Sequence, residues 1–143
     1  MIVRDGVLET YLLDCYSARR LELAATGSAT RSPGAVPIAG PTNFHLKGGG
    51  RTPEEIVRSV KEGFYVTGLQ GMGVNPVTGD YSRGANGIWI RGGEFAFPVE
   101  EVTISGNLKE MYRGLAAVGN DLRFRSAIAS PTVLIEEMTV AGR

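Results

Sequence analysis

Apolar and polar positions alternate most regularly between Gly87 and Val99. Ile88, Ile90, Phe95 and Phe97 interleave with Trp89, Arg91, Glu94 and Ala96 around the dipeptide Gly92-Gly93. Two glycines between alternating runs predict a hairpin, because the tight turns that match strand twist need positive φ at their centre. With that turn Arg91 faces Glu94, Ile90 faces Phe95 and Ile88 faces Phe97. Period-two geometry then gathers Ile88, Ile90, Phe95 and Phe97 on one face. A slip of one residue would turn all four outward, so the register is strongly specified.

The same reading extends along the chain. Val7 to Leu13 predicts a strand. Asp14 can cap a helix running to about Leu23, its carboxylate accepting the free amides of the first turn. Thr26 to Arg51 is rich in Gly, Pro, Ser and Thr, without periodicity, and predicts a long irregular loop. Thr52, Pro53 and Glu55 spell a capping box with proline at the first helical position. Ile56, Val57 and Val60 give that helix its stripe and Gly63 its end. Phe64 to Leu69 reads as a strand from its aromatic and β-branched content, and Val102 to Ser105 alternates as another. A third helix follows Asn107, with Leu108, Met111, Tyr112, Leu115 and Val118 at helical spacing and Gly119 as its stop. Thr132 to Val140 closes the chain as a strand. The order predicts an α+β fold in one domain over residues 1–143. Its sheet is mostly antiparallel, a sandwich or partly open barrel, with about three short helices.

Charge narrows the range of partners. Fifteen basic residues balance fifteen acidic ones, which argues against a basic nucleic-acid surface. No apolar run is long enough to span a membrane. Arg4, Asp5 and Glu9 interrupt any leader-like start. One cysteine, Cys15, gives no intrachain disulfide, and a cytoplasmic protein is expected. Twenty glycines point to tight turns and close backbone approaches.

Candidate chemistry is sparse. A catalytic zinc needs three protein ligands, and His45 and Cys15 are the only imidazole and thiol. His45, between Phe44 and Leu46, reads as a surface or packing histidine. Cys15 follows the expected cap, where a thiol pKa can fall, but a small buried hydrophobe is the simpler reading. No nucleophile elbow and no Walker loop occurs. The run Gly68-Leu69-Gln70-Gly71-Met72-Gly73 precedes no helix and reads as an irregular strand end. Its glycines would also let another backbone approach. Asp80 and Arg83 bracket a turn around Tyr81 and can pair with each other. Charged turns of this kind also line functional surfaces. Gly68, Gly71, Gly73, Asp80, Tyr81 and Arg83 are therefore the candidate peptide or subunit contacts, with no catalytic and no metal-binding residue expected.

Three segments carry a resemblance. They are Asn75-Pro76-Val77-Thr78-Gly79-Asp80-Tyr81-Ser82-Arg83-Gly84-Ala85-Asn86-Gly87-Ile88-Trp89-Ile90, Glu101-Val102-Thr103-Ile104-Ser105-Gly106-Asn107-Leu108-Lys109-Glu110-Met111, and Ala117-Val118-Gly119-Asn120-Asp121-Leu122. They resemble the C-terminal third of the TldD/TldE (PmbA) proteins, known as modulators of DNA gyrase. Ser17-Ala18-Arg19-Arg20-Leu21 is similar to a family helix as well. The resemblance implies two related subunits forming a metalloprotease that cuts flexible peptides and modified peptide precursors. In the TldD half, zinc is held by an H-E-x-x-x-H helix, upstream of the region matched here, and by a cysteine after the Gly-Asn-Asp-Leu segment. Here Ser130 stands near that cysteine position. Asp80 to Ala85 and Met138-Thr139-Val140-Ala141-Gly142 look like TldE, the half generally without zinc ligands.

The resemblance thus implies the C-terminal portion of a TldE-like subunit. Zinc would belong to a TldD-like partner, and this portion would shape the peptide channel and the subunit interface. Two alternatives stay open. The chain could line the active site of a zinc peptidase whose histidine helix lies upstream, or act as an independent ligand-binding module. A homodimer of the isolated piece is a further expectation.

Overall fold

The computed structural model describes residues 1–142. Among them the elements run β1 (Val3–Arg4), β2 (Val7–Leu8), α1 (Cys15–Arg20), β3 (Ala29–Thr30), β4 (Ile38–Ala39), β5 (Phe44–His45), α2 (Pro53–Arg58), β6 (Glu62–Gln70) and β7 (Asp80–Arg91). Then follow β8 (Glu94–Asn107), α3 (Leu108–Arg113), β9 (Leu115–Val118), β10 (Ile128–Ala129), β11 (Val133–Ile135) and β12 (Thr139–Ala141). Among the described residues the fold is α+β, with mostly antiparallel pairing, three short helices and no closed barrel. The chain divides into two compact units, Met1–Leu46 with Phe124–Ala129, and Lys47–Arg123 with Ser130–Arg143.

The first unit is built from two-residue strands. β1 pairs antiparallel with β2 across Asp5 and Gly6, both at positive φ. An Asp-Gly pair is a strong hairpin signal. β1 offers only Val3 and Arg4 for pairing, so the ladder ends at Leu8 and the strand expected through Leu13 is not formed. Asp14 caps α1 as expected, its Oδ1 accepting the Ser17 amide at 2.7 Å. The helix stops at Arg20, short of Leu23, and Glu22 has φ 55°. The stretch from Thr26 to Arg51 is not structureless. β3 pairs antiparallel with β4, and β5 lies parallel to β10.

The second unit centres on an open four-stranded sheet in the order β12-β8-β7-β6. Ahead of it, Thr52 and Glu55 form the expected capping box on α2. That helix ends at Ser59, before Gly63. On the sheet Ala85, Val102 and Ile104 are buried together, with Phe64, Tyr81, Val99 and Met138 packed around them. Full burial of a side chain such as Val102 or Ile104 stabilises by about 1.5–3 kcal/mol.

The Gly92-Gly93 hairpin forms, with both glycines at positive φ. Arg91 pairs with Glu94 and Ile90 with Phe95. The next pair departs from expectation: Trp89 faces Phe97 and Ile88 faces Pro98. Ala96 is the extra residue of a β-bulge, and a bulge moves every later side chain to the other face. Ile90 is buried, Phe95 is 53% exposed and Phe97 lies on the Trp89 face. The expected four-residue apolar face is thus split.

α3 starts at the Asn107 cap but ends at Gly114. Leu115 to Val118, expected to be helical, forms β9 and pairs with β11. Their apolar spacing suits both periods, and the pairing with Val133 to Ile135 decides it.

Candidate functional site

The expected contact residues gather where β6 leaves the sheet and β7 enters it. Gly68 lies in β6 beside Asn86, and a Cβ there would stand 2.4 Å from Asn86 Oδ1. Gly71 follows β6 at φ 73° with open space around it. Gly73 allows the tightest approach. Its carbonyl accepts the Ser82 amide at 2.7 Å, and a Cβ would fall 1.5 Å from Ser82 O. The same Cβ would be 3.5 Å from Arg83 Cγ, so Gly73 and Arg83 are neighbours.

Asp80 belongs to a turn knot. Asn75 Oδ1 accepts the amides of Val77 and Thr78, and Asp80 Oδ2 accepts the Thr78 hydroxyl at 2.6 Å. The Asn107 side chain donates to Thr78 O, which ties the turn to the cap of α3. Asp80 and Arg83 do not pair. Three positions apart on one strand, they point to opposite faces. Arg83 shares its face with Tyr81 and Ala85, and its Nε is buried without a hydrogen-bond partner. Tyr81 is half-buried against the Ala85–Val102–Ile104 cluster. The group therefore combines a close backbone contact, a solvated carboxylate and a guanidinium whose Nε is covered, with no nucleophile–base pair.

Ser130 donates its hydroxyl to Pro131 O at 3.0 Å. Next to it, Asp121 holds Thr132 twice, accepting its amide and its hydroxyl at 2.9 Å each. The Thr132 amide, against burial, holds the Asp121 carboxyl below its ordinary value. The Gly-Asn-Asp-Leu segment thus pins the strand that follows Ser130. That role was not legible beforehand, since only the eleven-residue return of the chain to Asp121 reveals it.

The donors for a metal are scattered. Cys15 is an exposed free thiol, not the buried residue expected. His45 is exposed and packs edge-on against Phe124, centroids 5.1 Å apart. No group of three or more His, Cys, Asp or Glu stands together among the described residues. These residues do not fit a zinc site. Two clefts remain. One of about 520 Å³ is lined by Asn107, Glu110, Arg113, Glu136, Glu137 and Met138. Arg113 there is already paired with Glu110 at 2.9 Å. The other, of about 370 Å³, is mainly apolar, between Leu8, Tyr11, Leu13 and Leu23.

A row of rings crosses the sheet. Trp89 stacks between Phe64 on β6 and Phe97 on β8, at centroid distances of 6.3 and 6.4 Å. Arg91 lies 5.8 Å over the Phe97 ring. Glu62 accepts the Trp89 indole N–H and sits 3.8 Å from Arg91 Nε. The bulge at Ala96 creates this row by bringing Phe97 round, which is why alternation alone missed it.

Comparison with known proteins agrees with the segments that carry the resemblance. The profile of the PmbA/TldA metallopeptidase C-terminal domain matches residues 1–142. The chain belongs to that family. Metalloprotease PmbA of Escherichia coli O157:H7 is 44% identical over 142 residues, covering 99% of this chain and 30% of that protein. A DNA-gyrase-modulator protein of Thermotoga maritima superposes with TM-score 0.88 at 34% identity, over 98% of this chain and 32% of its own. TldE of Thermococcus kodakarensis shares the fold, with TM-score 0.88 at 24% identity, over 99% of this chain and 33% of its own. This PmbA/TldA-family chain therefore spans about a third of the length of such relatives. No helix among its described residues is long and apolar enough to cross a membrane.

Proposed function

We propose that this chain is the non-catalytic, peptide-handling C-terminal portion of a PmbA (TldE)-like subunit. With a TldD-like partner, that subunit makes a cytoplasmic metallopeptidase for flexible peptides, and zinc belongs to the partner. The observation that supports this best is the free edge of β6. It is a nine-residue strand that pairs with β7 on one side only. Extended peptides add to such edges through main-chain hydrogen bonds, with little demand on sequence. Flexible substrates suit that mode because they have no fold to undo. Gly71 leaves open space at the end of this edge, while Gly68 and Gly73 let the chain run close to Asn86 and Ser82 of β7. Asp80, Tyr81 and Arg83, at the start of β7, would brace it or meet the partner.

The test uses the complete reading frame with a TldD-like partner. Cleavage of an unstructured peptide is expected from the mixture and from neither the PmbA-like subunit alone nor its Ser130→Cys variant. Metal analysis after dialysis should find zinc with the partner only. Stoichiometric zinc on the PmbA-like subunit, with chelator-sensitive cleavage by it alone, would overturn the proposal. So would separate sedimentation of the two chains at micromolar concentration.

A further inference from the structure

We propose that Met138 is an oxidation site: a small peroxide converts its thioether to the sulfoxide, and the sulfoxide releases β12 from the sheet. The inference stands apart from the peptide-handling reading and does not rest on it.

The chain has four methionines, Met1, Met72, Met111 and Met138. Met1 and Met72 are exposed, so oxidation of either puts a polar group where water already stands. Met111 and Met138 are half-buried and meet over Gly106. A Cβ at Gly106 would stand 3.7 Å from Met138 Cε and 3.8 Å from Met111 Sδ. The two side chains thus fill the place of the one that glycine lacks. The register shows how Met138 reaches it. β12 pairs with β8 as Thr139–Ser105 and Val140–Ile104. One step earlier Met138 lies beside Gly106, on the face shared by Val140 and Ile104. Tyr81 of β7 flanks Gly106 from the other side. Met138 is packed against the buried cluster of Ala85, Val102 and Ile104.

Little else holds β12. It is an edge strand of three residues, all exposed. A segment with so few buried apolar contacts opens locally at low cost. Met138 is therefore the apolar anchor at the start of β12. It also lines, with Gly106 and Glu137, the cleft of about 520 Å³, so a molecule as small as hydrogen peroxide reaches it with the sheet intact. A lone pair on the sulfur attacks one peroxide oxygen. The S–O bond forms, the O–O bond breaks, and the departing hydroxide takes the proton of the transferred oxygen and leaves as water. The thioether is oxidised by two electrons and the peroxide is reduced. The product is polar and chiral, and its oxygen lies against an apolar cluster. A polar group without a partner there is unfavourable, and lifting β12 hydrates it. The same release opens the sulfoxide to a methionine sulfoxide reductase, which returns the thioether.

Treatment of the protein with hydrogen peroxide, followed by peptide mapping in a mass spectrometer, reads each methionine separately. Met72 should be oxidised first, with no change in amide exchange. Met138 should follow more slowly, and as it does the amides of Thr139 to Ala141 should exchange about tenfold faster or more. Methionine sulfoxide reductase should restore slow exchange. Met138→Leu keeps the packing without the sulfur, and its β12 should stay protected in peroxide. Met111→Leu should respond as the unaltered protein does. Met138→Gln, polar and similar in length, should exchange fast at β12 without peroxide. Trp89, the sole tryptophan, should keep its emission throughout, because the release is local. Oxidation of Met138 only after urea has unfolded the sheet would overturn the site. Unchanged exchange of β12 beside a Met138 sulfoxide would overturn the release. Equal loss of protection in Met138→Leu would assign the effect to another residue, and a parallel change in Trp89 emission would replace local release by general unfolding. Either result would overturn the proposal.

Discussion

Two regions of the chain handle apolar side chains differently. In Met1–Leu46 with Phe124–Ala129, the buried apolar residues are Leu13, Ala18 and Ala129, while Val7, Tyr16, Leu21, Val36 and Ile38 lie open. In Lys47–Arg123 with Ser130–Arg143, Ala85, Val102 and Ile104 form a continuous buried cluster. Strand length accounts for the difference. A two-residue strand puts one side chain on each face, which is too few to make a surface worth covering. β7 and β8, with 12 and 14 residues, line up several side chains on a face. The first region is therefore shaped by turns, caps and bonds such as the Leu13 amide to Thr26 Oγ1 at 2.8 Å. The second is held by packing.

A glycine in each region gives the largest expected contrast. At Gly73 an added Cβ falls 1.5 Å from Ser82 O, a backbone atom that cannot turn aside. Gly73→Ala should cost at least about 3 kcal/mol, because the strand must move. Gly27, at φ 67°, has nothing within 4 Å of its Cβ position. Gly27→Ala should cost only the left-handed backbone term, about 1–2 kcal/mol. Urea unfolding of both variants checks the pair. Equal losses would mean that the Gly73 segment draws away from Ser82 at no more cost than a strained backbone position.

Truncating a large side chain in each region sharpens the same contrast. Ile104→Ala opens a cavity in the sheet core and should cost about 2–5 kcal/mol. Leu23 is 49% exposed, and Leu23→Ala should stay within about 0.5 kcal/mol. A shift of the urea midpoint as large for Leu23→Ala as for Ile104→Ala would show that the first region has a core of its own.

The contrast also explains what could be read from the sequence. Caps were legible because each involves residues only a few positions apart, as at Asp14, Thr52 and Asn107. The Gly92-Gly93 hairpin was legible for the same reason. The bulge at Ala96 was not, since it depends on how β8 as a whole lies against β7. Nor was β9, whose apolar spacing fits a helix until Val133 to Ile135 arrive to pair with it. Within the candidate site, the close approach at Gly73 was legible as a glycine-rich strand end. The aromatic row was hidden behind the bulge. The pairing expected between Asp80 and Arg83 ignored the two-residue period that puts them on opposite faces.

Acid gives the smallest and most local test. Asp14 and Asp121 both have carboxyl pKa values below the ordinary 3.8, each mainly through a backbone amide, of Ser17 and of Thr132 respectively. A carboxyl pKa depressed by folding contributes stability that is complete above the unfolded pKa and is lost as pH falls through the folded one. Both contributions should therefore be flat near neutral pH and disappear below about pH 4. Their reach should differ. Asp121 joins segments eleven positions apart, so its protonation loosens β11 from the Gly119–Leu122 segment. Asp14 bonds chiefly three residues ahead, with a smaller contribution from the Ala39 backbone, so its protonation mainly frays the first turn of α1. Amide shifts of Thr132 and Ser17 followed by NMR should titrate with midpoints below 3.8. Asp121→Asn should flatten the acid limb of the urea midpoint, while Asp14→Asn should leave that limb in place and abolish only the Ser17 titration. An acid limb equally flattened by both substitutions would mean that the α1 cap reports on the whole chain, and the division between a turn-shaped and a packed region would then fail.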